Sequence, residues 1–369
     1  MIKLSKRESE ACRWISSTVK EAGGRAYLVG GCVRDALLGI APKDVDMEIY
    51  GLAPERIESI LSRRFRFEVV GKSFGVWILK GYDIDVSVPR RERKVGEGHK
   101  SFEIECDPFL PVEAACARRD FTINAMLCDY LTGEIVDPYS GREDLKNRIL
   151  RHTSGKFAED SLRVLRAMQF IARFGLAPAS ETVALCSEIP FGELAPERVF
   201  EEWKKLILKG VKISSGLNFL RDCGWVKYFP ELAACVGCPQ DPQWHPEGDV
   251  FVHTGFCLDH FAKERIGDER EDLIVGLAVL CHDLGKPLCT KRGDDGKIHS
   301  YGHDILGVKP TLKFLGRMTR EKSLVEQVCV LVERHMAVLD LWRSGAGDSA
   351  IRRLARKVQR IDRLVRVDS

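Results

Sequence analysis

The segment Leu28-Val29-Gly30-Gly31-Cys32-Val33-Arg34-Asp35, followed nine residues on by Asp44-Val45-Asp46, constrains this chain more than any other stretch. Ala26 to Val29 is a short apolar run with the character of a buried strand, and Val33 to Leu38 has helical spacing. Gly30-Gly31 between them permits a turn that other residues resist. Asp44 and Asp46 lie two apart in a second strand-like run (Val45, Met47, Ile49), so a strand projects both carboxylates from one face. Two hard carboxylates so placed suit a pair of Mg2+ ions. Amide N–H groups at the glycine turn, with the guanidinium fork of Arg34, suit phosphate oxygens. Alone, a Gly-Gly pair is an ordinary turn and an Asp-x-Asp a solvated strand end. Together they point to a nucleoside triphosphate bound beside metal.

A third acidic position is expected at Asp85. Tyr82 to Val88 alternates strictly, with Asp83, Asp85 and Ser87 on one face and Ile84, Val86 and Val88 on the other, and Asp83 is the competitor. Arg90 to Phe102, charged and glycine-bearing without an apolar period, reads as a mobile loop.

Organisation changes near residue 140. Before it, short strands (Ala26 to Val29, Val45 to Tyr50, Arg66 to Val70, Val76 to Leu79, Ile84 to Val88) alternate with helices; after it, helical periods dominate. Ser161 to Arg173 sets Leu162, Leu165, Met168, Phe170 and Ile171 against Arg163, Arg166 and Arg173. Pro239 to Pro246 reads as a linker. The expected fold class is α+β: a small mixed β-sheet head over 1–140, an all-helical neck and body over 141–238, and a helical domain and tail over 239–369. The tail pattern Ile351, Leu354, Val358, Ile361, Leu364 and Val365 carries Arg352, Arg353, Arg356, Lys357, Arg360 and Arg363 opposite, a basic face that is either solvated or turned to RNA.

The Gly30-to-Asp46 stretch resembles the signature motif of class II tRNA nucleotidyltransferases, the CCA-adding enzymes of the DNA polymerase beta superfamily, and further matches follow in that family's order. Arg118-Arg119-Asp120-Phe121-Thr122-Ile123-Asn124-Ala125 is similar to the motif that engages ribose and triphosphate. Asp137-Pro138-Tyr139-Ser140-Gly141 resembles the element coupling head and neck. Glu159-Asp160-Ser161-Leu162-Arg163 resembles the amino-acid template, and Pro196-Glu197-Arg198-Val199 the segment supporting it. The resemblance implies a nucleotidyltransferase head and addition of C, C and A to the 3′ end of tRNA from CTP and ATP. It implies Mg2+ on Asp44 and Asp46, with Asp85 the third catalytic carboxylate. Gly30, Gly31, Arg34, Arg118 and Arg119 would then hold the triphosphate, Asp120 and Asn124 the sugar side, and Asp160 with Arg163 the base, while Arg166 would join the nucleotide site from a basic face that could meet phosphates. Arg and Asp suit the task at the base, since one offers a donor fork and the other only accepts. The tRNA partner would be engaged at its acceptor and T arm.

The loop from Arg90 looks like that of enzymes able to add the terminal A. Bacterial poly(A) polymerases share the first motifs but typically place two basic residues before a phenylalanine, where this chain has Gly71-Lys72-Ser73-Phe74. An A-adding, CC-adding or poly(A) enzyme stays open as an alternative.

His253, His282-Asp283 and His303, with His335 and Asp340 beyond, resemble the ligand pattern of HD phosphohydrolases, most specifically in Leu280-Cys281-His282-Asp283-Leu284-Gly285-Lys286. Imidazole and carboxylate together can hold a divalent transition metal and lower the pKa of a coordinated water. A metal-dependent 2′,3′-cyclic phosphodiesterase or phosphatase with an RNA-binding head is therefore the reading from a different class. His152 and His260 read as core histidines, and His245, in Trp244-His245-Pro246-Glu247, as a weaker ligand.

Net charge is only +3, which rules out a global positive field as the route to RNA and leaves local patches. No apolar span is long enough for a bilayer, so no membrane partner and a cytoplasmic location are expected. The 13 cysteines fall singly, as suits a reducing compartment, and Cys235-Val236-Gly237-Cys238 lacks the second pair a zinc site would need.

Overall fold

Amphipathic spacing at the start of the chain produces α1 (Lys6–Glu21), which buries Ala11, Cys12, Ile15 and Val19 and is capped by Ser5, whose Oγ accepts from the Glu8 N–H at 3.3 Å. The computed structural model describes residues 2–70, 75–94 and 102–368; Gly71-Lys72-Ser73-Phe74 lies outside them. The chain forms two compact units, Met1–Glu159 and Asp160–Ser369.

In the first unit α1 leads into β1 (Arg25–Val29), α2 (Gly31–Leu37), β2 (Val45–Tyr50), α3 (Pro54–Leu61), β3 (Phe67–Val70), β4 (Val76–Leu79) and β5 (Ile84–Ser87). There follow β6 (Arg90–Lys94), β7 (Phe102–Cys106), α4 (Val112–Cys116), β8 (Leu127–Asp129), β9 (Ile135–Val136) and α5 (Gly141–Lys146). Seven of these strands make one mixed sheet in the order β3-β4-β5-β2-β1-β8-β9, in which β2 and β5 run parallel and the other neighbours antiparallel. Alternation places Val45, Met47, Ile49, Ile84 and Val86 in the core, so the acidic residues between them take the opposite face.

The stretch from Arg90 to Phe102 corrects its reading as a loop. Its described ends are the paired strands β6 and β7, with Arg90 opposite Cys106 and Lys94 opposite Phe102, and residues 95–101 lie outside the described ones. The alternation that marks this ribbon sits in Phe102, Ile104 and Cys106, past the end of the charged run.

Gly141 opens α5 where a Cβ would stand 2.2 Å from the Thr122 carbonyl oxygen, so only glycine fits this approach. Asp137 accepts from the Gly141 and Arg142 N–H groups at 2.7 and 2.9 Å and fixes the entry to that helix.

The second unit is helical: α6 (Leu162–Phe174), α7 (Ser180–Glu188), α8 (Pro196–Lys209), α9 (Ile213–Asp222), α10 (Pro230–Ala233), α11 (Val250–Lys263) and α12 (Glu269–Cys281). It continues with α13 (Lys286–Cys289), α14 (His303–Gly316), α15 (Lys322–Arg334), α16 (Ala337–Arg343), α17 (Asp348–Lys357) and α18 (Ile361–Asp368). An aromatic cluster joins its two halves: Trp203 of α8 meets Phe229 and Phe314 edge-on at 5.0 and 5.4 Å between ring centroids. Among the described residues no helix is long and apolar enough to cross a membrane.

The tail is two helices rather than one, broken where Arg360 takes a positive φ of 71°. Its basic residues are neither all solvated nor all available to RNA, because Arg360 pairs with Glu271 and Arg363 with Asp272 on α12. Asp272 also accepts from the Ile266 and Gly267 N–H groups at 3.1 and 2.9 Å. Arg363→Ala strands that buried carboxylate and is expected to cost roughly 2 kcal/mol, lowering the unfolding temperature by roughly 4–8 °C in a calorimetric scan. An unchanged transition would show that the pair adds nothing to stability.

Candidate functional site

On the open face of the sheet, Asp46 stands beside Asp85 in the parallel β2–β5 register, with Asp44 just before β2. Asp83 precedes β5, and its carbonyl accepts from the Val45 N–H at 2.8 Å, so Asp85 rather than Asp83 is the neighbour of Asp46. Partial removal from water raises the Asp46 pKa from its ordinary value; Arg119 opposes this, while Asp85, Asp44 and Glu48 add to it by repulsion. Asp85 is raised likewise, first by lost hydration and then by Asp44. Mutually repelling carboxylates on one face are a donor set that divalent cations relieve, so the residues present fit such ions.

Gly30 has φ 70°, and a Cβ there would lie 2.9 Å from Arg119 Nη1, so the glycine gives both the turn and the close approach of that guanidinium. Arg119 Nη2 lies 3.7 Å from Glu48 Oε1, and Arg118 Nη1 donates to the Arg90 carbonyl at 2.5 Å. Both arginines, with Asp46, Glu48, Ser87, Arg90, Val29 and Ala115, line a cleft of about 320 Å³. Arg34 is 5% exposed and turns inward: Nε and Nη2 donate to Asp35 at 2.8 and 2.6 Å, and Nη1 to Asn124 Oδ1 at 2.6 Å. Asn124 in turn donates to Asp120 Oδ1 at 2.9 Å, closing a buried chain of polar groups behind the Gly30-Gly31 turn.

In the second unit Asp160 precedes α6 and is held by Arg198 of α8 at 2.8 Å, which ties the supporting segment to the carboxylate. Asp160 Oδ1 also accepts from the Leu162 N–H at 3.1 Å, and Arg163 begins the same helix. Arg166 lies 4.0 Å from the buried Glu202.

Four histidines and one aspartate converge elsewhere in this unit. His282 follows α12, His303 starts α14, His335 follows α15 and His253 lies on α11; each is buried. His282, His303 and His335 meet the carbonyls of Val279, Ser300 and Val332 through Nδ1 at 2.7, 2.8 and 2.7 Å, which places the N–H on Nδ1. His253 Nδ1 lies 2.7 Å from Glu247 Oε1. The Nε2 lone pairs therefore face inward, His253 to His282 at 3.4 Å and His303 to His335 at 3.0 Å. Asp283, 1% exposed, lies among them: Oδ2 is 3.3 Å from His282 Nε2, and Oδ1 is 3.3 Å from His303 Nε2. Neither carboxylate oxygen has a well-directed hydrogen bond, although Lys286 Nζ lies 2.6 Å from Oδ2. Burial pushes the Asp283 pKa up, but His282 when protonated and the Lys286 ammonium outweigh it and hold the group well below the usual range. A buried carboxylate amid inward lone pairs fits a transition-metal cation. His335 belongs to this cluster, whereas Asp340 is exposed on α16. His245 meets its edge, with Nδ1 3.1 Å from Glu247 Oε1 and its ring edge-on to that of His253 at 4.6 Å between centroids.

Two residues escaped the sequence reading. Glu48 continues the acidic face of β2 and was hidden by the attention a two-residue motif draws. Cys257, whose Sγ lies 3.4 Å from His253 Nε2, passed as one more apolar cysteine; its four-residue spacing from His253 on one helix was the available signal.

Residues 26–151 match the Poly A polymerase head domain family. The multifunctional CCA protein of Stenotrophomonas maltophilia K279a is 39% identical over 316 residues, 83% of this chain and 75% of that protein. That of Mannheimia succiniciproducens is 39% identical over 318 residues, 83% and 73% of the two chains. Among solved structures, the Bacillus stearothermophilus CCA-adding enzyme in complex with CTP has TM-score 0.66 at 24% identity, covering 99% of this chain and 78% of that one. The Thermotoga maritima CCA-adding enzyme complexed with tRNA-CCA has TM-score 0.67 at 20% identity, covering 99% and 79%. These two establish the shared fold.

Proposed function

The chain belongs to the multifunctional CCA protein family, and from that premise we propose that it adds C, C and A to the 3′ end of tRNA from CTP and ATP, releasing pyrophosphate. The observation that carries this is the acidic face of Asp44, Asp46 and Asp85 beside the Gly30 turn and Arg119. Nucleotidyltransferases of this family use a divalent metal ion. Bound at Asp44, Asp46 and Asp85, Mg2+ supplies Lewis acidity to the attacking hydroxyl and the leaving pyrophosphate. Arg118 and Arg119 offer fixed positive charge to the triphosphate, together with the backbone N–H group of Gly31, while the Gly30 N–H donates to the Met126 carbonyl at 3.4 Å and holds the turn in place. Arg34 contributes from the buried side, holding Asp35 and the Asn124–Asp120 pair that serves the sugar. Asp160 and Arg163, with Arg166 alongside, present a hydrogen-bonding edge to the base and so select C and then A without a nucleic-acid template. The acceptor and T arm of tRNA and a cytoplasmic location belong to the same reading, with the head assigned to 1–140, neck and body to 141–238 and the HD-type domain to 239–369.

The histidine cluster favours a second activity. A divalent transition metal held by His253, His282, Asp283 and His303 supplies a water of lowered pKa for phosphoester hydrolysis, with 2′,3′-cyclic and terminal phosphates as the substrate class. Asp44→Asn/Asp46→Asn is expected to abolish incorporation and spare hydrolysis of 2′,3′-cyclic nucleotides; His282→Ala is expected to do the reverse. Incorporation that survives the double head variant would overturn the transferase reading, and hydrolysis that survives His282→Ala would overturn the second activity.

A further inference from the structure

The trio His253, Cys257 and His282 is buried, with one ligand atom from each lying within 4.8 Å of the others. Its geometry has a metal's dimensions. Around a tetrahedral zinc with bonds of about 2.0–2.1 Å to N or O and about 2.3 Å to S, neighbouring N and O ligand atoms stand about 3.3–3.4 Å apart and N and S about 3.6 Å. Here His253 Nε2 is 3.4 Å from His282 Nε2 and 3.4 Å from Cys257 Sγ. Asp283 Oδ2 lies beside this trio, 3.3 Å from His282 Nε2 and 3.7 Å from His253 Nε2. The two edges at His282 Nε2 have the lengths a bound ion would impose, while the sulfur edge at 3.4 Å is slightly short and the His253–Asp283 edge at 3.7 Å slightly long, so small side-chain shifts would close the figure. Cys257 and His253 reach the site together because they lie four residues apart on α11, hence on one face of the helix. Asp283, buried and without a directed hydrogen bond to either oxygen, turns Oδ2 to the same point, where the Lys286 ammonium at 2.6 Å is the cationic partner an ion would join.

We propose that Cys257 is a sulfur ligand of this centre, completing a His253, Cys257, His282 and Asp283 set that favours zinc or another thiolate-seeking transition metal over magnesium or manganese. Binding releases the thiol proton to solvent and leaves a metal–sulfur bond. His303 and His335 then range on the other carboxylate oxygen, Oδ1. The inference rests on the metal-centre reading of the histidine cluster, and the test separates the two.

Full-length protein carrying Asp44→Asn/Asp46→Asn, which removes the head's ions, is stripped with chelator and reloaded with Zn2+ for X-ray absorption or Co2+ for optical absorption. A sulfur neighbour at about 2.3 Å and a near-ultraviolet thiolate-to-cobalt band are expected. In Cys257→Ser the ion is expected to stay, bound at least about tenfold more weakly, with both sulfur signatures lost. A bound ion with only nitrogen and oxygen neighbours would overturn the Cys257 assignment while leaving the histidine centre intact. Sulfur signatures that persist in folded Cys257→Ser would overturn it too. Failure to bind either ion would overturn the centre itself. Should Cys257→Ser not fold, the X-ray measurement on the chain with Cys257 in place decides alone.

Discussion

Asp46→Asn is expected to lower nucleotide incorporation by about three orders of magnitude, equivalent to about 4 kcal/mol of lost transition-state stabilisation, without unfolding the head. The side chain sits on the open face of β2 beside Asp85, so its amide isostere disturbs no core packing. Stability gives the second readout. The Asp46 pKa is raised in the fold, chiefly by lost hydration, so the ionised group weakens the fold at neutral pH, a penalty relieved only as pH falls through the raised value. Removing the charge is therefore expected to leave the metal-free unfolding temperature at pH 7 unchanged or slightly higher, and to flatten its dependence in the acid range. A variant within tenfold of the parent's incorporation rate would remove Asp46 from the chemistry. A large fall in unfolding temperature would make its role structural.

Asp160→Ala combined with Arg163→Ala is expected to cost nucleotide choice before it costs reaction. A site that hydrogen-bonds a base edge rejects bases that leave its donors and acceptors unpaired, and its removal should lower the preference for CTP and ATP over UTP and GTP by about 100-fold or more. Arg198 sharpens the test because it donates to Asp160 at 2.8 Å without belonging to the recognition edge. Arg198→Ala leaves the carboxylate in place but unsteered and is expected to erode selectivity by about tenfold, measured as kcat/KM for each nucleotide. Equal losses with all four nucleotides in the double variant would assign Asp160 and Arg163 to positioning of the helix instead.

How much of this was legible in the sequence depended on whether the signal was local. The strand Val45–Tyr50 and the strand Val76–Leu79 have the limits their alternation implies, because one face of each is buried. Alternation also put Asp83 and Asp85 on one face, but only the pairing of β2 with β5 singles out Asp85, and pairing between strands separated by three other elements is not written in either one. The arginines were visible as charges and their direction was not. Arg34 turns to Asp35 and Asn124, 90 residues away, and Arg363 to Asp272, 91 residues away. The order of the histidines gave the cluster, yet which of His335 and Asp340 joined it was decided by the turn after α15, which buries the imidazole and leaves the carboxylate exposed. Cys257 was unreadable as a ligand because burial is what cysteines do in any case, and of the 13 only Cys106 and Cys289 are not buried.

The most direct measurement supplies tRNAs ending at the discriminator base, at C and at CC with CTP and ATP, singly and together, and reads the 3′ sequence of each product. CTP alone should carry the first two to CC and stop, ATP alone should add one A only to the tRNA ending in CC, and both together should give CCA on all three. Runs of A, arrest at CC with both nucleotides present, or no extension would contradict addition of CCA at the acidic face of Asp44, Asp46 and Asp85.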